Sequence, residues 1–303
     1  MKNKIYDLII IGSGPAGLTA GIYAIRYKID TLIIGKLPGG LMSEAYKICN
    51  FPSYYEISGL DLAKKVIEHT NNLEIKIRQE EVIEIKKDKL FIIKTNNGKY
   101  KAKKIIIAIG TKRNKLNIPG ETEFLGKGVS YCATCDSRLF LNKTVAVVGG
   151  SDAALTSALL LSEYAKKVYV IYRKNKFSKA EPAWIEQVKK NKKINIIFNS
   201  NILKIYGDKM VKGIKLDNKK DLKLDGVFIE IGSSPDTIFL NQLKLKTEKN
   251  YIKVNKKQET NIAGVFAAGD ITNNSLKQII TACSEGAIAA KSIFEELQIK
   301  TKI

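Results

Sequence analysis

Two glycine-rich segments constrain this chain of 303 residues more than any other feature: Gly12-Ser13-Gly14-Pro15-Ala16-Gly17 and Gly149-Gly150-Ser151-Asp152-Ala153-Ala154. Each follows a short apolar run and precedes a helical one. In the first, Tyr6 to Ile11 reads as a buried parallel strand, the helix extends to about Tyr27, and Thr31 to Ile34 is the next strand. Glycines so placed permit a tight turn, close approach of backbone to a pyrophosphate, and packing of helix on strand, with the helix N-terminus facing the phosphates. The glycine spacing alone is a weak signal, and the flanking strand and helix give it weight. Gly35 and Lys36 follow the second strand where an acid would bind ribose, so the motif leaves the nucleotide's identity open.

The segments repeat one another. Ile10 to Gly21 (IIGSGPAGLTAG) aligns with Val147 to Ala158 (VVGGSDAALTSA), which predicts two related nucleotide-binding folds. Each is followed by a set of short strands: Glu81 to Ile85, Leu90 to Lys94 and Tyr100 onward, with Asn97-Gly98 as hairpin turn; then Asn201 to Tyr206, Lys212 to Leu216 and the stretch around Leu222. Return strands are expected at Ile105 to Ile109 and Val227 to Ile231. After Leu240 come a strand at Tyr251 to Val254, the run Gly264 to Asp270, and a helix from about Leu276 to Leu297 that resumes the first fold. The expected class is α/β, with two Rossmann-like domains of three-layer ββα type, the second inserted in the first. Residues 1–114 and 246–303 form one domain and 115–245 the other, with crossings near Asn114 to Gly120 and Leu240 to Glu248.

With 45% hydrophobic residues the chain is not disordered as a whole, and its length accommodates two cores. A net charge of +21 raises the question of nucleic acid, but only five of the 51 basic residues are arginine and the lysines are scattered. No arginine patch interleaved with aromatics is present, so nucleic-acid binding is not expected, and the charge is read as a general attraction to acidic partners. No charge falls between Leu8 and Ile25, yet Gly12, Gly14, Pro15 and Gly17 cut that run into strand, turn and helix, which excludes a membrane span.

Between the fingerprints lies Cys132-Ala133-Thr134-Cys135-Asp136. A close cysteine pair amid βαβ patterning reads as redox chemistry, because two sulfurs three residues apart can close and reopen a small ring by thiol–disulfide exchange. Zinc would need two further ligands at matching spacing; Cys49 and Cys283 are isolated, and His69, the only histidine, sits in a charged helical stretch. A reducing cytoplasm suits a pair that cycles.

Taken together, GSGPAG at 12 to 17, GGLM at 39 to 42, Asn50-Phe51-Pro52, GKGVSYCATCD at 126 to 136, GVFAAGD at 264 to 270 and Lys277-Gln278-Ile279 resemble the low-molecular-weight thioredoxin reductases nearly end to end. The resemblance implies that FAD lies against Gly12, Ser13, Gly14, Pro15, Ala16, Gly17, Gly40, Leu41, Asn50, Gly110, Gly269, Asp270, Lys277, Gln278 and Ile279. Asp270 would hold the ribityl chain and the start of the last helix would meet the flavin. Gly149, Gly150, Ser151, Asp152, Ala153, Arg173 and Lys174 would bind the nicotinamide nucleotide. Cys135 would meet the flavin, Cys132 would attack the protein substrate, and Asp136 would be the acid–base; an N-cap of the following segment is an alternative use of Asp136.

Electrons would pass from NADPH to FAD, to the disulfide, and to oxidised thioredoxin, in a homodimer. NADH, another donor, a glutaredoxin-like or peroxidase acceptor, and a redox sensor without turnover stay open. A swivel is expected, with Pro119-Gly120 and the segment after Leu240 as hinges. The chain departs from the resemblance at Ser151, where glycine is frequent, at Leu155-Thr156-Ser157, where an acidic pair is frequent, and at Leu41 and Cys49, where glutamine and an acid are common. Arg173-Lys174, without an acid, favours NADP over NAD.

Overall fold

A computed structural model describes residues 4–235 and 241–301. The chain divides into two units, one made of Met1–Ser43, Ile48–Lys112 and Pro235–Ile303, the other of Glu44–Lys47 and Arg113–Ser234. Both are mixed α/β folds built on a parallel sheet, and the second is inserted in the first.

In the first unit, β1 (Ile5–Ile11) is followed by α1 (Pro15–Arg26), β2 (Thr31–Ile34), α2 (Gly59–Asn72), β3 (Lys76–Arg78), β4 (Val82–Lys87), β5 (Phe91–Thr95) and β6 (Lys99–Ile107). Leu8 to Ile11 are buried on both faces of the sheet, which explains their unbroken apolar run. Leu8 and Ile10 join a core with Leu18, Ala20 and Ala24 of α1. Ile9 and Ile11 join the opposite core, with Phe91 and Ile93 of β5.

The hairpin at Asn97-Gly98 forms as expected, Thr95 N–H donating to Gly98 O at 2.8 Å. The third meander strand and the return strand, expected as separate elements, are one strand. Lys99–Ala102 of β6 pairs antiparallel with β5, while from Lys101 onward the same strand runs parallel beside β1, Ile9 opposite Ile105. An apolar stretch that follows a polar amphipathic one without a turn residue has no reason to break.

In the second unit, β7 (Thr111–Arg113) begins at the crossing, followed by β8 (Val129–Ser130), α3 (Ala133–Asp136), β9 (Thr144–Val148), α4 (Asp152–Tyr164), β10 (Lys167–Ile171), α5 (Pro182–Lys190), β11 (Ile194–Ile197), the antiparallel β12 (Ile202–Gly207), β13 (Val211–Leu216) and β14 (Asp221–Lys223), then β15 (Gly226–Ile229) and β16 (Ser233–Pro235). The five-stranded sheet has the order β11-β10-β9-β15-β8 and is parallel throughout. Its strand order reverses between β9 and β15, the location where open α/β sheets form a ligand crevice.

The chain then passes β17 (Thr247–Glu248), β18 (Tyr251–Ile252), β19 (Val265–Ala267) and α6 (Ile279–Thr301). β19 pairs parallel with β6, Val265 opposite Ile105, so the last strand does complete the first sheet. α6 begins three residues later than the expected Leu276.

The division differs from the expected boundaries. The second crossing falls between Ser234 and Pro235 rather than at 245/246, because Leu243 and Leu245 pack into the first core. The first falls between Lys112 and Arg113. Pro119-Gly120, expected as a hinge, is packed inside the second unit: Ile205 N–H donates to Pro119 O at 3.0 Å, and a Cβ on Gly120 would stand 2.1 Å from Ile205 O. The other hinge candidate, the segment after Leu240, is likewise packed: Leu243 and Leu245 lie in the core of the first unit. No helix among the described residues is long and apolar enough to cross a membrane.

Ile10 is fully buried where α1 meets the sheet. Ile10→Ala is expected to cost about 2–5 kcal/mol, read as a lowered midpoint in denaturant unfolding.

Candidate active site

Strand β1 runs directly into Gly12, whose φ of +116° and whose Cβ, if present, 2.1 Å from Ala108 O, together require glycine. A Cβ on Gly17 would lie 1.9 Å from Gly12 O, so this glycine lets α1 settle on the strand. Gly14 is the N-cap of α1 and Pro15 occupies its first turn; no side chain caps the helix. Gly40 approaches from the facing turn so closely that its Cβ would stand 3.0 Å from Gly14 Cα. A bare helix N-terminus walled by two glycines fits the pyrophosphate of a dinucleotide.

Ser13 and Ala16 turn inward. The Ser13 hydroxyl donates to Leu37 O at 3.0 Å, and a Cβ on Gly269 would meet the Ala16 methyl at 2.9 Å. Their side chains serve the fold, leaving backbone for a ligand.

Two residues far apart in sequence meet in this unit, Asn50 Nδ2 donating to Gln278 Oε1 at 3.2 Å. Ile279 opens α6. Leu41 is exposed, and Gly110 (φ +66°) borders open space. Asp270 follows Gly269, and burial lifts its pKa above the ordinary aspartate value although Lys277 acts in the other direction. Burial lowers Lys277 in turn; its ammonium donates to Thr272 O and lies 4.5 Å from the centre of the Tyr251 ring.

The second fingerprint repeats the strand end. Gly149 (φ +147°) would place a Cβ 2.2 Å from Glu230 O, and Gly150 would place one 2.6 Å from the Tyr172 ring. Ser151 is the N-cap of α4 with no side-chain cap bond, and Asp152 and Ala153 begin the helix. Asp152 Oδ1 accepts the Glu181 N–H at 2.6 Å, so this carboxylate holds the loop after β10. Arg173 and Lys174 are exposed on that loop.

Sequence reasoning missed an ion cluster at the ends of β9 and β15. Arg113 donates to Glu230 Oε2 at 2.7 Å and to Glu44 Oε2, and Ser157 donates to Glu230 Oε1 at 3.1 Å. Burial raises the Glu230 pKa more than Arg113 and Ser157 lower it, while the two carboxylates hold Arg113 charged. The one available signal was an acid inside the apolar run Val227 to Ile231.

Cys132 and Cys135 are joined as a disulfide with Cα atoms 5.3 Å apart. Cys132 is the N-cap of the short helix α3, and its Sγ accepts the Cys135 N–H at 3.2 Å. The Cys132 N–H donates to Ser130 Oγ at 3.0 Å, and Thr134 Oγ1 donates to Glu44 O at 2.7 Å. Cys135 is exposed and Cys132 half-buried. Asp136 makes no side-chain cap bond to the 3-10 turn Ser137–Phe140, so the alternative use of its carboxylate is not realised. That turn ends in a further apolar surface unnoticed in the sequence: Leu139 is 75% exposed and Leu141 60%. Cys49 is exposed and Cys283 half-buried, its pKa raised by burial; His69 is exposed on α2.

The model of the pyridine nucleotide-disulphide oxidoreductases matches residues 6–286. The chain belongs to that family. A thioredoxin reductase of Bacillus subtilis is 37% identical over 98% of this chain and 97% of its own length. The crystal structure of T. acidophilum thioredoxin reductase superposes with a TM-score of 0.93 at 38% identity, covering 98% of this chain and 100% of that one. A ferredoxin-flavin thioredoxin reductase from Clostridium acetobutylicum is 36% identical over 97% of this chain and 99% of its own, with a TM-score of 0.54. Within the family the chain is thus similar to low-molecular-weight thioredoxin reductases, and the disulfide lies on the CATCD stretch that carried the resemblance.

A raised aspartate pKa means that the protonated form favours folding, an effect present below the unfolded value and lost as pH rises through the folded one. Above both values the buried charge of Asp270 opposes folding. Flavin-free Asp270→Asn protein is therefore expected to melt a few degrees above the parent chain near neutral pH, the difference vanishing below about pH 4, the ordinary aspartate range, in thermal scans.

Proposed function

We propose that the chain is a thioredoxin-disulfide reductase: the second fold binds NADPH, the first binds FAD, and the Cys132–Cys135 disulfide passes two electrons to a disulfide of a small thioredoxin-like protein. The observation that carries this reading is the surface disulfide on a two-residue spacer in a chain matched end to end by thioredoxin reductases. FAD, when bound, supplies the two-electron relay between donor and disulfide. Gly12, Gly14 and Gly17 would cradle its pyrophosphate, Asp270 would accept from its ribityl hydroxyls, and Asn50 and Gln278, bonded to one another, would border its ring.

Reduction of the disulfide takes up two electrons and yields two thiols. The Cys135 N–H aimed at Cys132 Sγ favours the thiolate at Cys132, which supports it as the attacking sulfur. Its attack forms a mixed disulfide and releases one partner sulfur as a thiolate, which takes a proton from Asp136. Cys135 then gives its proton to the Asp136 carboxylate, attacks Cys132 Sγ and closes the intramolecular bond, and the Cys132–partner bond breaks with the second partner sulfur leaving as a thiolate. Leu139 and Leu141 give the partner an apolar landing beside the pair, in a chain whose net charge of +21 attracts an acidic one. Homodimerisation and a cytoplasmic location belong to the same proposal.

A second electron source is favoured by one observation. Asp152 ties Glu181 to the start of α4, and Ser151 bridges Lys179, so the chain's own loop borders the second glycine turn. Together with the likeness to a ferredoxin-flavin enzyme, this makes reduced ferredoxin the alternative donor.

In an anaerobic titration the yellow protein is expected to bleach with NADPH and to recover its colour with oxidised thioredoxin. Cys132→Ser is expected to bleach but to reduce no thioredoxin; an active Cys132→Ser would overturn the roles, and bleaching by reduced ferredoxin alone would move the donor. Arg173→Ala with Lys174→Ala is expected to raise KM for NADPH roughly tenfold or more while leaving that for NADH little changed, in steady-state kinetics.

A further inference from the structure

Glu285 lies on the second turn of α6 and is only 4% exposed, yet the reaction just described gives it no part. Its Oε2 accepts the Gly269 N–H at 2.8 Å and lies 2.9 Å from the Thr272 hydroxyl, and its Oε1 accepts from Asn274 Nδ2. All three donors belong to the loop that carries Asp270. The outer side of that loop is held by β18, Ile252 N–H donating to Ile271 O and Asn273 N–H to Ile252 O, both at 2.9 Å. Glu285 is the fastening on the inner side.

The neighbouring residue shows why an acid at this place reaches the loop. A Cβ on Gly286 would stand 2.1 Å from Ala16 O, so α6 lies directly against the first turn of α1. Gly269 is pressed on the same Ala16 from the loop side, its Cβ 2.9 Å from the alanine methyl if it had one. The glycine turn of α1, the Asp270 loop and the start of α6 thus converge on one alanine, and Glu285 bonds two of them together. Three donor groups lie within hydrogen-bond distance of its carboxylate. A carboxylate, which only accepts, satisfies all of them, whereas an apolar side chain would leave the Gly269 N–H buried without a partner.

We propose that Glu285 is a positioning residue of the flavin site, fixing the Gly269–Asn274 loop so that Asp270 is presented to the ribityl chain of FAD. This rests on the reading of the first fold as the FAD site. It assigns Glu285 an effect on flavin affinity that passes through Asp270, distinct from any contribution to folding.

The test is a double-mutant cycle in FAD affinity, measured by quenching of flavin fluorescence on the full chain stripped of cofactor. Glu285→Leu is expected to weaken FAD binding about tenfold or more, and Glu285→Gln, which keeps an acceptor for Gly269, by less than about threefold. In an Asp270→Asn background, Glu285→Leu is expected to add little. Wild-type affinity in Glu285→Leu, or its full loss repeated in the Asp270→Asn background, overturns the proposal. Should Glu285→Leu not fold, Glu285→Asp, which keeps the charge but is one methylene too short, replaces it in the cycle with the same criteria. If the parent chain itself does not bind FAD, the site reading fails and the proposal with it, a result distinct from a normal parent with an additive cycle.

Discussion

Each of the two folds depends on a helix whose first turn carries no side-chain cap. At Gly14 and at Ser151 the strand ends, the chain turns on glycine, and the first turn of α1 or α4 begins with no side-chain cap bond. A capped helix would be more stable by about 1 kcal/mol, so these termini keep a local deficit that an anion can remove. Placing such a terminus at the carboxyl end of a parallel strand demands backbone contact too close for any Cβ. Gly12 against Ala108 and Gly149 against Glu230 are the same solution reached twice.

Buried acids hold the loops that the strands leave loose. Glu121 accepts from the Leu116 and Asn117 N–H groups and from the Tyr131 hydroxyl, Glu230 anchors Arg113, and Glu285 gathers the loop after β19. Each is nearly inaccessible to water and each is answered by donors, as burial of a charge requires. Desolvation of Tyr131 and its bond to Glu121 push that phenol well above its ordinary range, which keeps it a donor.

The glycine turns, the core strands and the cysteine pair were legible in the sequence because each rests on a local rule: a backbone no side chain permits, an apolar run too long for one face, two sulfurs on a short spacer. The junction within β6 was not legible, since a strand that changes partners midway shows no break in its own residues. Nor was the second crossing, because Leu243 and Leu245 look like any linker leucines until the first core is known to receive them. The buried acids are the clearest failure. Glu121 and Glu285 are indistinguishable from surface glutamates in a chain rich in charge, and Glu230 is marked only by its place in an apolar run, because their donors come from segments that no periodicity connects to them.

The backbone N–H of Asn114 donates to Gly232 O at 3.0 Å, and β7 pairs with β16, so the inserted fold leaves where it entered. To β6 and β19, which must find each other across the whole insertion, a completed insert is no longer a flexible stretch of well over a hundred residues but a short closed turn. The entropy of joining those two strands falls accordingly. In lineage terms, the insert is a cassette: another fold with adjacent ends could occupy the same break without disturbing the core that surrounds it.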